Sequence, residues 1–194
     1  MSDTTVDLGP QARVLARLAH AVRDDQLDLP TPCPDYAVRE LLGHIMGLAA
    51  GLRAAGRKES EGTNPGAALP ALDPEWRTAL PEALDELVAT WREPAAWEGM
   101  TQAGGLDLPG AVAGLVTADE LVVHGWDLAR ATGQAYAPDE AALHAARTLL
   151  TPQEGGDGGD GGDGLFGPIV PVPDDAPLLD RVIGLSGRDP AWTP

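Results

Sequence analysis

PGAVAGLVTADELVVHGWDLARATG, residues 109–133, is the stretch that decides how this chain folds. A proline opens it and Gly133 offers a natural C-cap, so the spacing predicts one long helix. Val112, Leu115, Val116, Val123 and Leu128 mark its expected buried side. Glu120 and His124 stand one turn apart on one face, with Val116 before them and Asp127 three residues beyond. A carboxylate and an imidazole are thereby set into an apolar stripe. Burying a carboxylate is unfavourable unless a cation or hydrogen-bond donors compensate it. A divalent metal would do so, and Glu and His one helical turn apart offer two ligands from one helix. A buried, hydrogen-bonded Glu–His pair is the metal-free alternative.

The third group comes from a second amphipathic helix, expected over residues 35–58. Val38, Leu41, Leu42, Ile45, Leu48, Ala49 and Leu52 form its apolar face. His44 lies between Leu41 and Leu48 on that face, where an imidazole without a partner fits poorly. It is either a satisfied core histidine or a ligand facing Glu120 and His124. Two His and one Glu leave coordination positions open, which is the catalytic rather than the structural pattern for zinc. Asp127 has two readings: an acceptor that orients an imidazole, or a partner of Arg130 on the next turn. The supporting role is the expected one. His20 and His144 have no neighbouring ligand candidates, Trp126 reads as packing, and Cys33 between prolines reads as structural.

A first helix is expected over 7–25, where Val14, Leu15, Leu18, Ala19 and Val22 recur at helical spacing. Three prolines within 29–35 make that stretch a loop. Residues 59–72 read as another loop. A third helix follows Asp73-Pro74 and ends near Arg92, with Pro81 expected to kink or split it. Residues 97–108 read as loop or a short irregular hairpin, and 138–150 as a shorter helix. Residues 154–164, EGGDGGDGGDG, lack the apolar residue per turn that stacked calcium-binding repeats need, so a flexible linker is expected. An extended stretch at 166–173 and a short helix at 176–186 then dock back on the bundle. The expected organisation is therefore a metal-binding helical bundle over 1–153, the linker 154–164, and a C-terminal tail over 165–194.

The 194 residues suit one domain with a core that needs no disulfide. Hydrophobic residues make up 43% and charged residues 22%, as in a folded globular protein. A formal charge of −17 disfavours nucleic acid and anionic membrane surfaces as partners. The single cysteine excludes an intrachain disulfide and a Cys-based zinc site. The first ten residues are polar, and no apolar run approaches a bilayer span, so the cytoplasm is the expected location.

The two helices carry a resemblance. TPCPDYAVRELLGH, residues 31–44, resembles the first metal motif of the mycothiol-dependent maleylpyruvate isomerase family, within the DinB-like superfamily. DELVVHGWDLARATG, residues 119–133, resembles its second motif. PVPDDAP, residues 171–177, and the Leu-rich segment after it resemble the tail of short members. The resemblance implies an all-α, DinB-like four-helix bundle with short accessory helices and an extended C-terminal tail. It also implies that His44, Glu120 and His124 hold the metal, and that mycothiol is a cosubstrate. Ala37 departs from the pattern, standing where a Thr or Ser helix cap is expected.

Three functions share these residues. The first is a zinc-dependent thiol transferase or isomerase that joins a low-molecular-weight thiol to a small electrophile. The second is a metal-dependent hydrolase working through activated water. The third is a metal-binding or interaction module without catalysis.

Overall fold

The computed structural model describes residues 5–34, 36–59, 71–151 and 168–194. Helix α1 (Gly9–His20) carries a proline in its first turn and buries Leu15, Leu18 and Ala19. It stops five residues before the expected end. Two acidic residues, Asp24 and Asp25, would sit badly at a helix C-terminus, and 24–26 form a single 3-10 turn instead.

Helix α2 (Val38–Gly56) starts three residues later than expected, with Ala37 at the N-cap position. Ala37 has no side chain to cap the helix. The preceding loop does that work, since the Val38 and Arg39 amides donate to Leu29 O at 3.0 Å and Leu27 O at 2.9 Å. The departure at Ala37 is thus met by backbone.

Helix α3 (Trp76–Trp91) is continuous through Pro81 and not split there. The proline falls in the second turn, where one missing N–H leaves one carbonyl unpaired. Burial of Leu80, Leu84, Leu87 and Trp91 holds the segment helical around it.

A short helix α4 (Pro94–Trp97) leads into strands β1 (Met100–Ala103) and β2 (Leu106–Pro109). These pair antiparallel, Met100 opposite Pro109 and Ala103 opposite Leu106. Gly104 and Gly105 have φ of 57° and 81°, as a tight two-residue turn with the strands' twist requires. The expected loop or irregular hairpin is therefore a regular one. Helix α5 (Gly110–Thr132) follows and ends on Gly133 at φ 69°. Asp139 caps α6 (Glu140–Leu150) by accepting from the Ala142 amide. Helix α7 (Leu178–Leu185) closes the described chain's helices.

Helices α1, α2, α3 and α5 make a four-helix bundle in which α1 and α2 each touch both α3 and α5. Helix α6 lies on the outer side of α5, and α7 lies on α6. Val123 and Trp126 of α5 also cluster with Ile183 of α7. Covered on both sides, α5 is buried at every residue from 121 to 129. Its N-terminal half differs from expectation: Val112, Leu115 and Val116 are half-buried, while Ala113, Gly114, Thr117 and Ala118 are buried. Small residues are needed there because the Trp97 ring of α4 fills the space a Gly114 side chain would take.

The expected linker 154–164 lies outside the described residues, as does the start of the expected extended stretch. Among the described residues no helix is long and apolar enough to cross a membrane.

Candidate metal centre

Helix α5 presents Glu120 and His124 towards α2, and α2 presents His44 towards them. One potential ligand atom from each residue lies within 4.8 Å of the others. Glu120 Oε2 is 2.9 Å from His124 Nε2. The His44 and His124 rings meet edge to face with centroids 4.8 Å apart. Tyr36, just before α2, also packs on His44, with ring centroids 5.0 Å apart. Among the described residues no other trio of His, Cys and carboxylate side chains converges this way. His144 is exposed and 3.9 Å from Glu140.

The site is buried at one end and open at the other. His124 is 5% exposed, whereas the Glu120 side chain keeps 24% of its surface and His44 is half-buried. A cavity of about 10 Å³ beside Glu120 is lined by Leu15, Ile45, Leu48, Leu52, Leu84 and Leu87. That is room for about one water molecule. The solvent-facing side of the trio is the one formed by Glu120 and His44.

The two imidazoles are driven in opposite directions. Burial, reinforced by the neighbouring His124, pushes His44 down to about 4. Burial also acts to lower His124, but hydrogen bonds to Asp127 and Glu120 and their negative charges outweigh it and hold His124 up at about 9. Glu120 is shifted the other way by the same contact: burial would raise it, yet the His124 hydrogen bond and the charges around it bring it below the usual carboxylate range. Without a metal, His124 holds a proton on each ring nitrogen at neutral pH, Nδ1–H donating to Asp127 and Nε2–H to Glu120.

Asp127 is fully buried, and its Oδ2 lies 3.0 Å from His124 Nδ1. That contact leaves Nε2 facing Glu120 and His44. Asp127 does not pair with Arg130, the other expectation, because Arg130 turns to the C-terminal segment and donates to the Pro190 and Trp192 carbonyls. Its cation partner is Arg188, whose Nη2 and Nε reach Oδ2 at 3.2 Å and Oδ1 at 3.3 Å. Sequence reasoning missed Arg188. The available signal was a buried carboxylate in need of a counter-charge and only two arginines, Arg181 and Arg188, in the tail.

Residues 8–129 match the family model described as the mycothiol maleylpyruvate isomerase N-terminal domain. The chain belongs to that family. The match takes in all three converging residues and Asp127, and it ends within α5, before the segment that supplies Arg188. In sequence the chain is similar to an uncharacterized protein of Mycobacterium tuberculosis, present in two strains. Each copy is 33% identical over 189 residues, covering 89% of this chain and 91% of its own. A crystal structure of a histidine-to-alanine variant of the mycothiol-dependent maleylpyruvate isomerase superposes with a TM-score of 0.53 at 14% identity. The superposition covers 73% of this chain and 65% of the other, so the chain spans about two thirds of that protein's length. At that identity the likeness establishes the fold, a mostly helical DinB-like architecture.

Proposed function

We propose that the protein is a metal-dependent thiol transferase or isomerase, which joins a low-molecular-weight thiol of the mycothiol type to a small electrophilic molecule. Zinc is the metal in this reading, held by His44, Glu120 and His124, and the cytoplasm is where it works. The observation that carries it is the meeting of two imidazoles and one carboxylate from two helices, with their ligand atoms inside 4.8 Å.

The donor set fits a metal. In a tetrahedral site with bonds of about 2.0–2.2 Å neighbouring donors lie about 3.3–3.6 Å apart, so a trio within 4.8 Å would close by about 1 Å at its widest while the 2.9 Å Glu120–His124 contact opens slightly. Two nitrogens and an oxygen suit zinc, and three protein ligands leave room for an exogenous one. When bound, the metal supplies positive charge that lowers the pKa of a thiol at its open position, presenting a thiolate at neutral pH.

The chain's own residues do the rest. His44, pushed down to about 4, offers a lone pair without first losing a proton at neutral pH. Asp127 accepts from His124 Nδ1 and aims Nε2 at the same point as Glu120. The buried flank behind them, from Leu121 to Ala129, keeps water from that side. The exposed edge of Glu120 and His44 admits thiol and electrophile.

The test is turnover of a panel of small electrophiles, maleylpyruvate among them, by the metal-loaded protein with and without mycothiol. Consumption that needs the thiol, and disappears in Glu120→Gln, is the expected result. A fully loaded protein without thiol-dependent turnover overturns the reading. Turnover with no thiol present would instead point to the hydrolase, and loading without turnover to a binding module.

A further inference from the structure

Asp127 sits between the candidate metal centre and the far end of the chain. Its side chain has no exposed surface. One side meets His124 Nδ1 at 3.0 Å, and the other takes two N–H groups from Arg188 at 3.2 and 3.3 Å. Arg188 is itself fixed. Its Nη1 donates to Ser186 O at 3.0 Å, and its backbone amide donates to Ile183 O at 3.1 Å. Ile183 is fully buried against Val123 and Trp126 of α5. Arg188 is 61 residues from Asp127 in sequence and lies outside the family match.

We propose that the C-terminal segment is a working part of the metal site, with Arg188 as a positioning residue that holds Asp127 and, through it, His124. This rests on the metal reading above. A metal bound at His124 Nε2 leaves the hydrogen on Nδ1, and that hydrogen needs a fixed acceptor, which is Asp127. The metal-bound imidazole is itself neutral, and the ion's charge, partly offset by Glu120, would lie across the ring from Asp127, so the carboxylate has no counter-charge in direct contact on that side. A buried carboxylate without one is strongly unfavourable and turns towards water. Arg188 provides the charge, and its two N–H bonds also fix the carboxylate plane, which a point charge would not. Arg130, the next cation along α5, is committed to the Pro190 and Trp192 carbonyls and does not substitute. The bundle without its tail thus lacks the group that keeps His124 aimed.

The experiment measures zinc affinity of the full chain by chelator competition, together with the visible absorption of the cobalt(II) form and helix content by circular dichroism. Arg188→Gln should bind zinc about ten-fold or more weakly, the usual effect of removing an outer partner of a ligand, and should alter the cobalt spectrum. Asp127→Asn should weaken binding similarly, and the double variant should be no weaker than Asp127→Asn alone, because Arg188 acts through Asp127. Arg188→Lys should recover part of the loss. Arg130→Gln loosens the tail elsewhere and should bind as wild type does.

Wild-type affinity in Arg188→Gln, additive losses in the double variant, or an equal loss in Arg130→Gln would each overturn the proposal while leaving the metal reading intact. A wild type that takes up no metal sinks both. If Arg188→Gln loses its helix signal, Arg188→Lys carries the test: weaker binding at wild-type ellipticity supports the proposal, and equal binding defeats it.

Discussion

His44 and His124 touch edge to face, yet burial drives one towards neutrality and two carboxylates drive the other towards charge. This has a sign that can be measured. His44 falls from 6.5 to about 4, so in the metal-free protein it contributes stability present above pH 6.5 and lost as pH falls towards 4. His124 rises from 6.5 to about 9, so its contribution is complete below pH 6.5 and lost as pH climbs through 9. Urea midpoints of metal-free protein should therefore fall between pH 6.5 and 9, and those of metal-loaded protein should not. A metal-free midpoint that rises across that window would contradict a protonated His124 between the two carboxylates. Metal must displace that proton, so affinity should grow about tenfold per pH unit up to about pH 9 and then level off. Calorimetry in buffers of different ionisation enthalpy should count close to one proton released at pH 7.5. The convergence of this trio was legible in sequence because Glu120 and His124 share a helix face and His44 interrupts an apolar one. Arg188 was not, since nothing local links a tail residue to an aspartate on a helix far earlier in the chain.

Helix α5 explains why some elements were readable and others were not. Its length and its stop at Gly133 follow from local chemistry, and both match the structure. Which of its residues are buried does not, because burial depends on what lies opposite. The sequence pattern favoured the large residues Leu115 and Val116, but the Trp97 ring makes glycine the fitting residue at 114. Gly114→Ala should accordingly destabilise the protein by about 1–3 kcal/mol through overpacking, read as a lower urea midpoint with an unchanged slope. An unchanged midpoint would show that α4 moves freely against α5. The starts of α2 and α3 were misjudged by two or three residues for a similar reason. Backbone carbonyls of the preceding loop cap α2, and a turn at Asp73 delays α3, where Asp73 Oδ1 accepts from the Glu75 amide at 2.7 Å. The hairpin turn rested on two glycines whose positive φ only the paired strands reveal.

At the scale of the molecule, the site is an addition to a bundle that stands on its own core. Fully buried Leu15, Leu41, Leu42, Leu80, Leu84, Leu87 and Leu128 hold the helices together without any contribution from a metal. Gln11 ties α1 to the opposite side through Leu121 O, the Tyr136 hydroxyl and the Asp139 amide. Chelator-treated protein should therefore keep its helical circular dichroism signal, as should His44→Ala. Metal should still raise the melting temperature in proportion to the logarithm of its free concentration. A chain that unfolds when stripped would make the metal structural and end the case for an open, catalytic site. The whole account turns on one ion shared by α2 and α5. Elemental analysis of protein purified without a histidine tag, wild type beside His44→Ala and His124→Ala, reads this directly. The account predicts one zinc ion per chain in the wild type and loss of it in both folded variants. A wild type without metal, or variants that retain it in full, would contradict it.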